Sequence, residues 1–379
     1  MPAIDAPGTF TASGVSLAAP LPDDPTARME LASLGWNPFF ANAFTPFHAQ
    51  GLTPARVVTE DKHFYTVVGE QGDLLAVIAG ELHHRRGTNS ALPKVGDWVA
   101  IARQPGEEKA VIRAVLPRRT TLTRKVTGRE MAKQVLATNI DTVFVVQALD
   151  ATFNLRRLER FLVMVHEGGG RPVVLLNKAD LCDEVDERVA EIRKATGDIP
   201  VILVSAKTRK GIGQLREFIT PGSTVVFIGT SGVGKSSLIN RLLGEATQPT
   251  LEVRDSDSKG RHATTWRELI ALPCGGLVID TPGMREFHMW VGGGGLGETF
   301  PDLMAFGAGC RFRDCTHNKE PGCAVKAAVD AGQLASERYA SFLKLQSELA
   351  ATSEGRKEHT YRVNKRRSQA GTKAWLRND

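Results

Sequence analysis

Residues 229–237 read Gly-Thr-Ser-Gly-Val-Gly-Lys-Ser-Ser, after the apolar run Thr224–Ile228 and before the helical pattern Leu238–Leu243. A strand that turns through a glycine-rich loop into a helix is the layout of a phosphate-binding loop, and it commits this part of the chain to an α/β sheet. Glycines let successive backbone N–H groups turn inward around phosphate oxygens. The N-terminus of the following helix adds partial positive charge. Gly229, Thr230, Ser231, Gly232, Val233, Gly234, Lys235, Ser236 and Ser237 are therefore candidate nucleotide contacts. Lys235 is expected to reach the β- and γ-phosphates and serve catalysis, and the Ser236 hydroxyl is expected to ligate Mg²⁺. The plainer alternative is a glycine-rich strand–helix turn.

The base is chosen elsewhere. Asn177-Lys178-Ala179-Asp180 follows the run Val173–Leu176. In an N-K-x-D arrangement the Asp180 carboxylate accepts from the N1–H and N2 amino group of guanine, which adenine cannot supply in that geometry. Asn177 is expected at the other edge of the base and Lys178 along its face. A helix cap at Asp180 would also explain the tetrapeptide, but a strand end is where α/β sheets bind ligands. Ser205-Ala206-Lys207 follows Val201–Val204 and offers a backbone N–H to guanine O6. Asp280-Thr281-Pro282-Gly283 follows Leu277–Ile279. Asp280 suits a water-mediated hold on Mg²⁺, and the Gly283 N–H suits the γ-phosphate. Between the P-loop and this turn lies Lys259-Gly-Arg-His-Ala-Thr-Thr265, where Thr264 and Thr265 are both candidates to close over the metal and γ-phosphate; spacing does not choose between them.

The order of these segments is unusual. An ordinary GTPase runs P-loop, threonine switch, D-x-x-G, N-K-x-D, S-A-K. This chain runs N-K-x-D, S-A-K, P-loop, threonine switch, D-x-x-G, the same circle cut elsewhere. Surface termini that lie close together make such a permutation permissible.

Around this core the pattern changes. Residues 1–50 are Pro- and Ala-rich and then aromatic (Trp36, Phe39, Phe40, Phe44, Phe47), an extension whose aromatic part can dock on the body. Residues 51–120 carry five short strand patterns punctuated by glycine, which predicts a small barrel of OB-fold type; an SH3-like barrel gives a similar pattern. Residues 121–290 alternate apolar strands with helices and form the permuted GTPase domain. Residues 291–379 hold Cys310, Cys315, His317 and Cys323, then helical sequence with a break near Ala331-Gly332, then a basic tail. Three thiolates and an imidazole within fourteen residues suit tetrahedral Zn²⁺ in a closed structural site; free cysteines in a satellite core are the alternative. The eight Lys/Arg and two acids from Arg356 onward account for the whole formal charge of +6, so the tail reads as facing nucleic acid, or else as a solvated helix end. With 42% hydrophobic and 24% charged residues, and no apolar run near the ~20 residues of a bilayer span, a soluble cytoplasmic protein with no membrane association is expected.

Taken together, Asn177–Asp180, Gly229–Ser237, Gly260–Thr265, Asp280–Gly283 and Cys310-Arg-Phe-Arg-Asp-Cys-Thr-His317 with Pro321-Gly-Cys-Ala-Val325 resemble the ribosome small-subunit-dependent GTPase A family, over about residues 50–350. The resemblance implies an OB-fold barrel, a circularly permuted GTPase domain and a zinc-binding helical domain. It implies GTP and GDP as ligands, with Mg²⁺ and one structural Zn²⁺. It also implies binding to the small (30S) ribosomal subunit and its rRNA late in maturation, with hydrolysis stimulated by that subunit. A monomer is expected. One departure is Ala263, where the family usually has threonine. Many GTPases place Gln after D-x-x-G to orient the attacking water; Met284 stands there, and His262, beside the switch threonines, is the candidate to supply the missing group. An exposed loop histidine is the alternative. A non-hydrolysing RNA-binding module and a GTPase of tRNA modification or metal delivery are the rival functions.

Overall fold

The computed structural model describes residues 30–61, 64–84, 92–103, 109–125, 133–244, 267–280 and 294–351. His262, Thr264, Thr265, Gly283 and the basic tail lie outside them.

The chain begins with a single 3-10 turn, Leu31–Leu34, and helix α1 (Pro38–His48), started by Asn37, whose side chain accepts from the Phe39 and Phe40 amides, with Pro38 in the first turn. The aromatic part of the extension is docked. Phe40 and Phe44 are buried, and Trp36 packs edge-on against the buried Trp98 at 4.6 Å.

Strands β1 (Thr53–Glu60), β2 (Tyr65–Gly69) and β3 (Gly72–Ile78), helix α2 (Gly80–His84), and strands β4 (Trp98–Arg103) and β5 (Lys109–Val115) form the barrel. Its order is β1-β2-β3-β5-β4, and β4 closes back onto β1. The β3–β5 pair is parallel and the others antiparallel, as in an OB-fold. The sequence does not anticipate the two-stranded hairpin β6 (Thr121–Lys125) and β7 (Lys133–Thr138) that follows, because its apolar residues, Leu122 and Val135–Ala137, are few and set among Thr, Lys, Arg and Gln.

The central sheet uses β8 (Thr142–Ala148), helix α3 (Leu155–Glu167), β9 (Arg171–Asn177), α4 (Val185–Thr196), β10 (Val201–Leu203), α5 (Ile212–Arg216), β11 (Thr224–Ile228), α6 (Lys235–Leu243), β12 (Glu268–Ala271) and β13 (Leu277–Asp280). Strand order is β10-β9-β8-β11-β13-β12, with the first five parallel and β12 antiparallel at the edge. All seven residues of β8 are buried, because helices cover both faces. From β8 the chain works outward to β10, returns to place β11 beside β8, and then builds the other half. The crevice between β8 and β11 is therefore the topological switch point, where α/β sheets bind ligands.

Barrel and sheet meet at β1 and β12, which share the pair Thr59↔Glu268. Beneath this seam Arg56 is 1% exposed. Its guanidinium donates to the carbonyls of Leu34, Gly96 (3.3 Å) and Asn139 (3.3 Å) and to Thr224 Oγ1 (2.8 Å). Those acceptors belong to the extension, the barrel, the linker and the first residue of β11. Burial pulls the Arg56 pKa down to about 10, while Asp141 and Asp97 pull the other way.

The last part packs helices α7 (Gly295–Thr299), α8 (Pro301–Gly307), α9 (Ala324–Asp330) and α10 (residues 336–351) around Phe300, Val325 and Phe342. The break anticipated near Ala331-Gly332 is there, with Gly332 at φ +70°. This module sits on α3. The fully buried Glu159 accepts from Arg338 (3.0 Å) and from the Ser341 hydroxyl, and Arg338 stacks on Phe300 at 4.7 Å.

Replacing Arg56 with Met fills the space but takes the guanidinium from the Leu34 and Asn139 carbonyls and the Thr224 hydroxyl, at about 1 kcal/mol or more each, while Gly96 O keeps the Asn139 side-chain amide. Urea unfolding of Arg56→Met should show a stability loss of about 3 kcal/mol or more, and Arg56→Lys should not restore it, because one ammonium cannot fork to four acceptors.

Candidate nucleotide site and Cys3His centre

Four parallel strands deliver candidate residues to one edge of the sheet: Asn177 at the end of β9, Ser205 beyond β10, Gly229 beyond β11 and Asp280 at the end of β13; Asp150, which the sequence did not single out, lies just beyond β8. A cavity of about 940 Å³ opens there, lined by Asn177, Lys178, Asp180, Ser205, Ala206 and Lys207 from the N-K-x-D and S-A-K loops and by Gly232, Gly234 and Ser237 from the P-loop and α6. Segments separated in sequence and written in rotated order share one site.

Asn177 joins them. It is 2% exposed; its Nδ2 donates to Val233 O at 2.7 Å, and its Oδ1 accepts from the Ala206 amide at 3.2 Å. The sequence sets Asn177 against an edge of the base. The structure gives it a prior duty, tying the N-K-x-D, S-A-K and P-loop segments together, and one Nδ2 hydrogen remains to meet a base. Two glycines make this approach possible. A Cβ on Gly234 would lie 2.2 Å from Asn177 Nδ2, and one on Gly229 would lie 2.4 Å from Val146 O.

Asp180 is exposed at the cavity mouth, and its Oδ1 accepts from the Ser205 hydroxyl at 2.6 Å. That hydrogen bond holds its pKa below the usual carboxylate range. Ser205 Oγ in turn accepts from the Thr208 amide at 3.1 Å, so the carboxylate has a fixed aim. The Ala179 amide is spent on Val204 O (3.3 Å). Lys178 adopts the left-handed conformation (φ +61°) and its Nζ donates to Asp150 Oδ2 at 2.8 Å. On the opposite wall Arg241 of α6 donates to Ala206 O at 2.8 Å, a second tie between the phosphate and base loops. Asp150 and Arg241 belong to no motif, and only their position beside strand ends could have drawn attention to them.

In the P-loop, Thr230 is half-buried and Ser231 and Ser236 are exposed, with Val233 anchored in the core. Lys235 Nζ donates to the loop's own carbonyls at Gly229 (2.9 Å) and Thr230 (2.8 Å). Burial pushes its pKa down to about 8, opposed by the Asp280 carboxylate. Glu268, paired across the strands with Asp280, is pushed up by its own desolvation and then by Asp280.

In the C-terminal module Cys310, Cys315, His317 and Cys323 bring four ligand atoms within 4.8 Å of one another. Tetrahedral zinc with metal–sulfur bonds of about 2.3 Å and metal–nitrogen bonds of about 2.0 Å has sulfur–sulfur edges of roughly 3.8 Å and sulfur–nitrogen edges of roughly 3.5 Å. Cys310 Sγ lies 3.9 Å from Cys323 Sγ and 3.5 Å from His317 Nδ1, and Cys323 Sγ lies 3.6 Å from that nitrogen. The donor set therefore fits Zn²⁺, with His317 offering Nδ1. His317 takes a left-handed conformation (φ +62°) and its carbonyl accepts from Tyr339 Oη at 2.5 Å, which fixes the knuckle against α10.

The fold and site define a circularly permuted P-loop GTPase with an N-terminal five-stranded barrel and a C-terminal Cys3His module. A family model described as RsgA GTPase matches residues 115–290. A small ribosomal subunit biogenesis GTPase RsgA from Opitutus terrae is 50% identical over 331 residues, 85% of this chain and 90% of its own. A protein of the same name from Syntrophotalea carbinolica is 43% identical over the same shares. Among solved structures, YjeQ from Thermotoga maritima is similar at TM-score 0.59 and 31% identity, covering 79% of this chain and 99% of its own. YloQ, described as a circularly permuted GTPase, is similar at TM-score 0.56 and 26% identity, covering 79% and 96%. The chain belongs to the RsgA GTPase family.

Two outcomes follow from the geometry. Metal analysis should find about one zinc per chain, lost in Cys323→Ser, with residues 294–351 then open to limited proteolysis. The Lys235 pKa, lowered to about 8 without nucleotide, should rise when phosphates arrive. Nucleotide binding then takes up a proton at pH 8.5 and almost none at pH 7, where Lys235 is already charged. Affinity falls as pH rises through about 8. Calorimetry in buffers of different ionisation enthalpy checks this.

Proposed function

We propose that this protein binds and hydrolyses GTP and acts in small ribosomal subunit biogenesis, engaging the 30S subunit and its rRNA. The convergence of Asn177, Asp180, Ser205–Lys207 and Gly229–Ser237 on one cavity carries the nucleotide part of the reading. Relatives that share up to 50% identity over 85% of the chain support the biological part.

In this reading Asp180, aimed by Ser205, accepts both guanine donors. Lys178 lies along the purine face, and the loop at Ala206 meets O6. The P-loop amides from Gly229 to Ser237 receive the phosphates. Lys235 exchanges its two carbonyl partners for β- and γ-phosphate oxygens, a swap available because the loop carbonyls compensate only part of its desolvation. Ser236 and Asp280 would hold Mg²⁺, which when bound would supply neutralisation of the phosphate charge. Thr264 or Thr265 and the Gly283 amide close over the γ-phosphate. His262 orients the attacking water in place of the glutamine that Met284 cannot mimic. Zn²⁺ held by Cys310, Cys315, His317 and Cys323 is structural, since protein fills all four positions. The barrel and the basic tail supply rRNA contacts that weaken with salt. Domains divide near residues 50, 120 and 290, and the protein works as a cytoplasmic monomer. Among the described residues no helix is long and apolar enough to cross a membrane.

Phosphate release with and without purified small subunits tests the proposal. Stimulated turnover should appear with GTP and not ATP. His262→Ala should bind GTP with unchanged affinity and lose most of the stimulation. Equal retention of ATP and GTP would refute the reading.

A further inference from the structure

The base-reading motif names its lysine but not what holds it. A free lysine ammonium on a four-carbon stem samples many rotamers, and ordering it costs side-chain entropy. Here the stem starts from a left-handed backbone, and its Nζ is fixed by the Asp150 carboxylate. The carboxylate is itself held. Its Oδ1 accepts from the Thr152 amide at 2.9 Å and from the Thr152 hydroxyl at 2.5 Å, closing an Asx turn, and its Oδ2 receives Lys178 at 2.8 Å. The two oxygens thus have separate jobs, one fixing the aspartate and one fixing the lysine. Both partners are partly exposed, with side-chain exposures of 33% for Lys178 and 24% for Asp150, so the pair adds little to fold stability. Its consequence is orientation, because Lys178 lines the same cavity as Asp180 and Ser205.

We propose that Asp150 is a positioning residue of the guanine site: it braces Lys178 so that the lysine stem stands ready as a wall for the purine face. This rests on the GTP-binding reading above. Desolvation pushes the Asp150 pKa up, but the bonds from Lys178 and Thr152 outweigh it and hold the value at about 2, so the brace stays charged across the working pH range. The bland alternative is that Asp150 only shapes the turn leading into α3. Asparagine separates the two, since it keeps an Oδ1 acceptor for Thr152 and loses the second carboxylate oxygen and the charge.

The test is a binding cycle with the full chain, reading Kd for GTP and for ITP, which lacks the 2-amino group. Asp150→Asn should weaken both nucleotides by the same factor, about fivefold to tenfold, because a wall for the ring face does not read the 2-amino group. Subunit-stimulated kcat should stay within about twofold while KM rises. In a Lys178→Met background Asp150→Asn should have no further effect, and Asp150→Glu should restore part of the affinity. Unchanged Kd in Asp150→Asn overturns the proposal. So does an equal loss in the Lys178→Met background, or a loss confined to GTP. Wild-type protein that binds no GTP refutes the earlier reading instead, so the two failures are told apart.

Discussion

A single buried guanidinium sets the frame on which everything else is hung. Arg56 lies on a barrel strand, yet its four acceptors come from the extension, the barrel turn, the linker and the first residue of the P-loop strand. An arginine this deep is tolerable only with nearly every donor matched, because desolvating the charge otherwise costs several kcal/mol. The planar fork fits one mutual placement of the four segments. Around it a second layer repeats the theme. Asn139 donates to Gly96 O, Asp141 accepts from the Thr224 amide, and Asp97 takes a bidentate grip from Arg118 at 2.8 and 2.6 Å. Barrel and sheet are therefore fastened at the floor of β8 and β11, at the end of those strands opposite to the nucleotide loops.

The same use of polar ties recurs at the top of the sheet. Asn177 and Arg241 connect the base loops to the P-loop and its helix through backbone carbonyls. Backbone acceptors do not depend on the identity of the residue that carries them, so loops of different sequence can be held in one geometry. On the far side of α3, Glu159 is satisfied by Arg156, Arg338 and Ser341. The helix that follows the Asp150 turn is thereby gripped by the Cys3His module.

Much of this was legible in the chain, and the reasons are physical. The P-loop, Asn177–Asp180 and the Cys3His set announce themselves because phosphate, guanine and a tetrahedral cation each demand fixed residue types at fixed local spacing. The barrel was legible through five short β-rich runs separated by glycine. The hairpin β6–β7 was not, since its few apolar residues, Leu122 and Val135–Ala137, sit among polar ones and gain their place from neighbours. Docking of Trp36 and Phe40 on Trp98 is foreseeable only as unspent aromatic surface; the partner is fixed by tertiary contact. Asp150, Arg241 and Arg56 escaped because each acts across a gap of 22 or more residues, where no local pattern marks a pair.

The rotated order has a consequence for how the protein comes into being. Asn177 leaves the site of synthesis 56 residues before the Val233 carbonyl that receives it, and Glu159 precedes Arg338 by 179. A nascent chain thus carries the N-K-x-D and S-A-K segments before Val233 and Arg241 exist to tie them, and an α3 whose Glu159 carboxylate waits for Arg338. Ligand can contribute to folding only after the later half has emerged, so nucleotide acts on this domain as a late clasp and not as an early template.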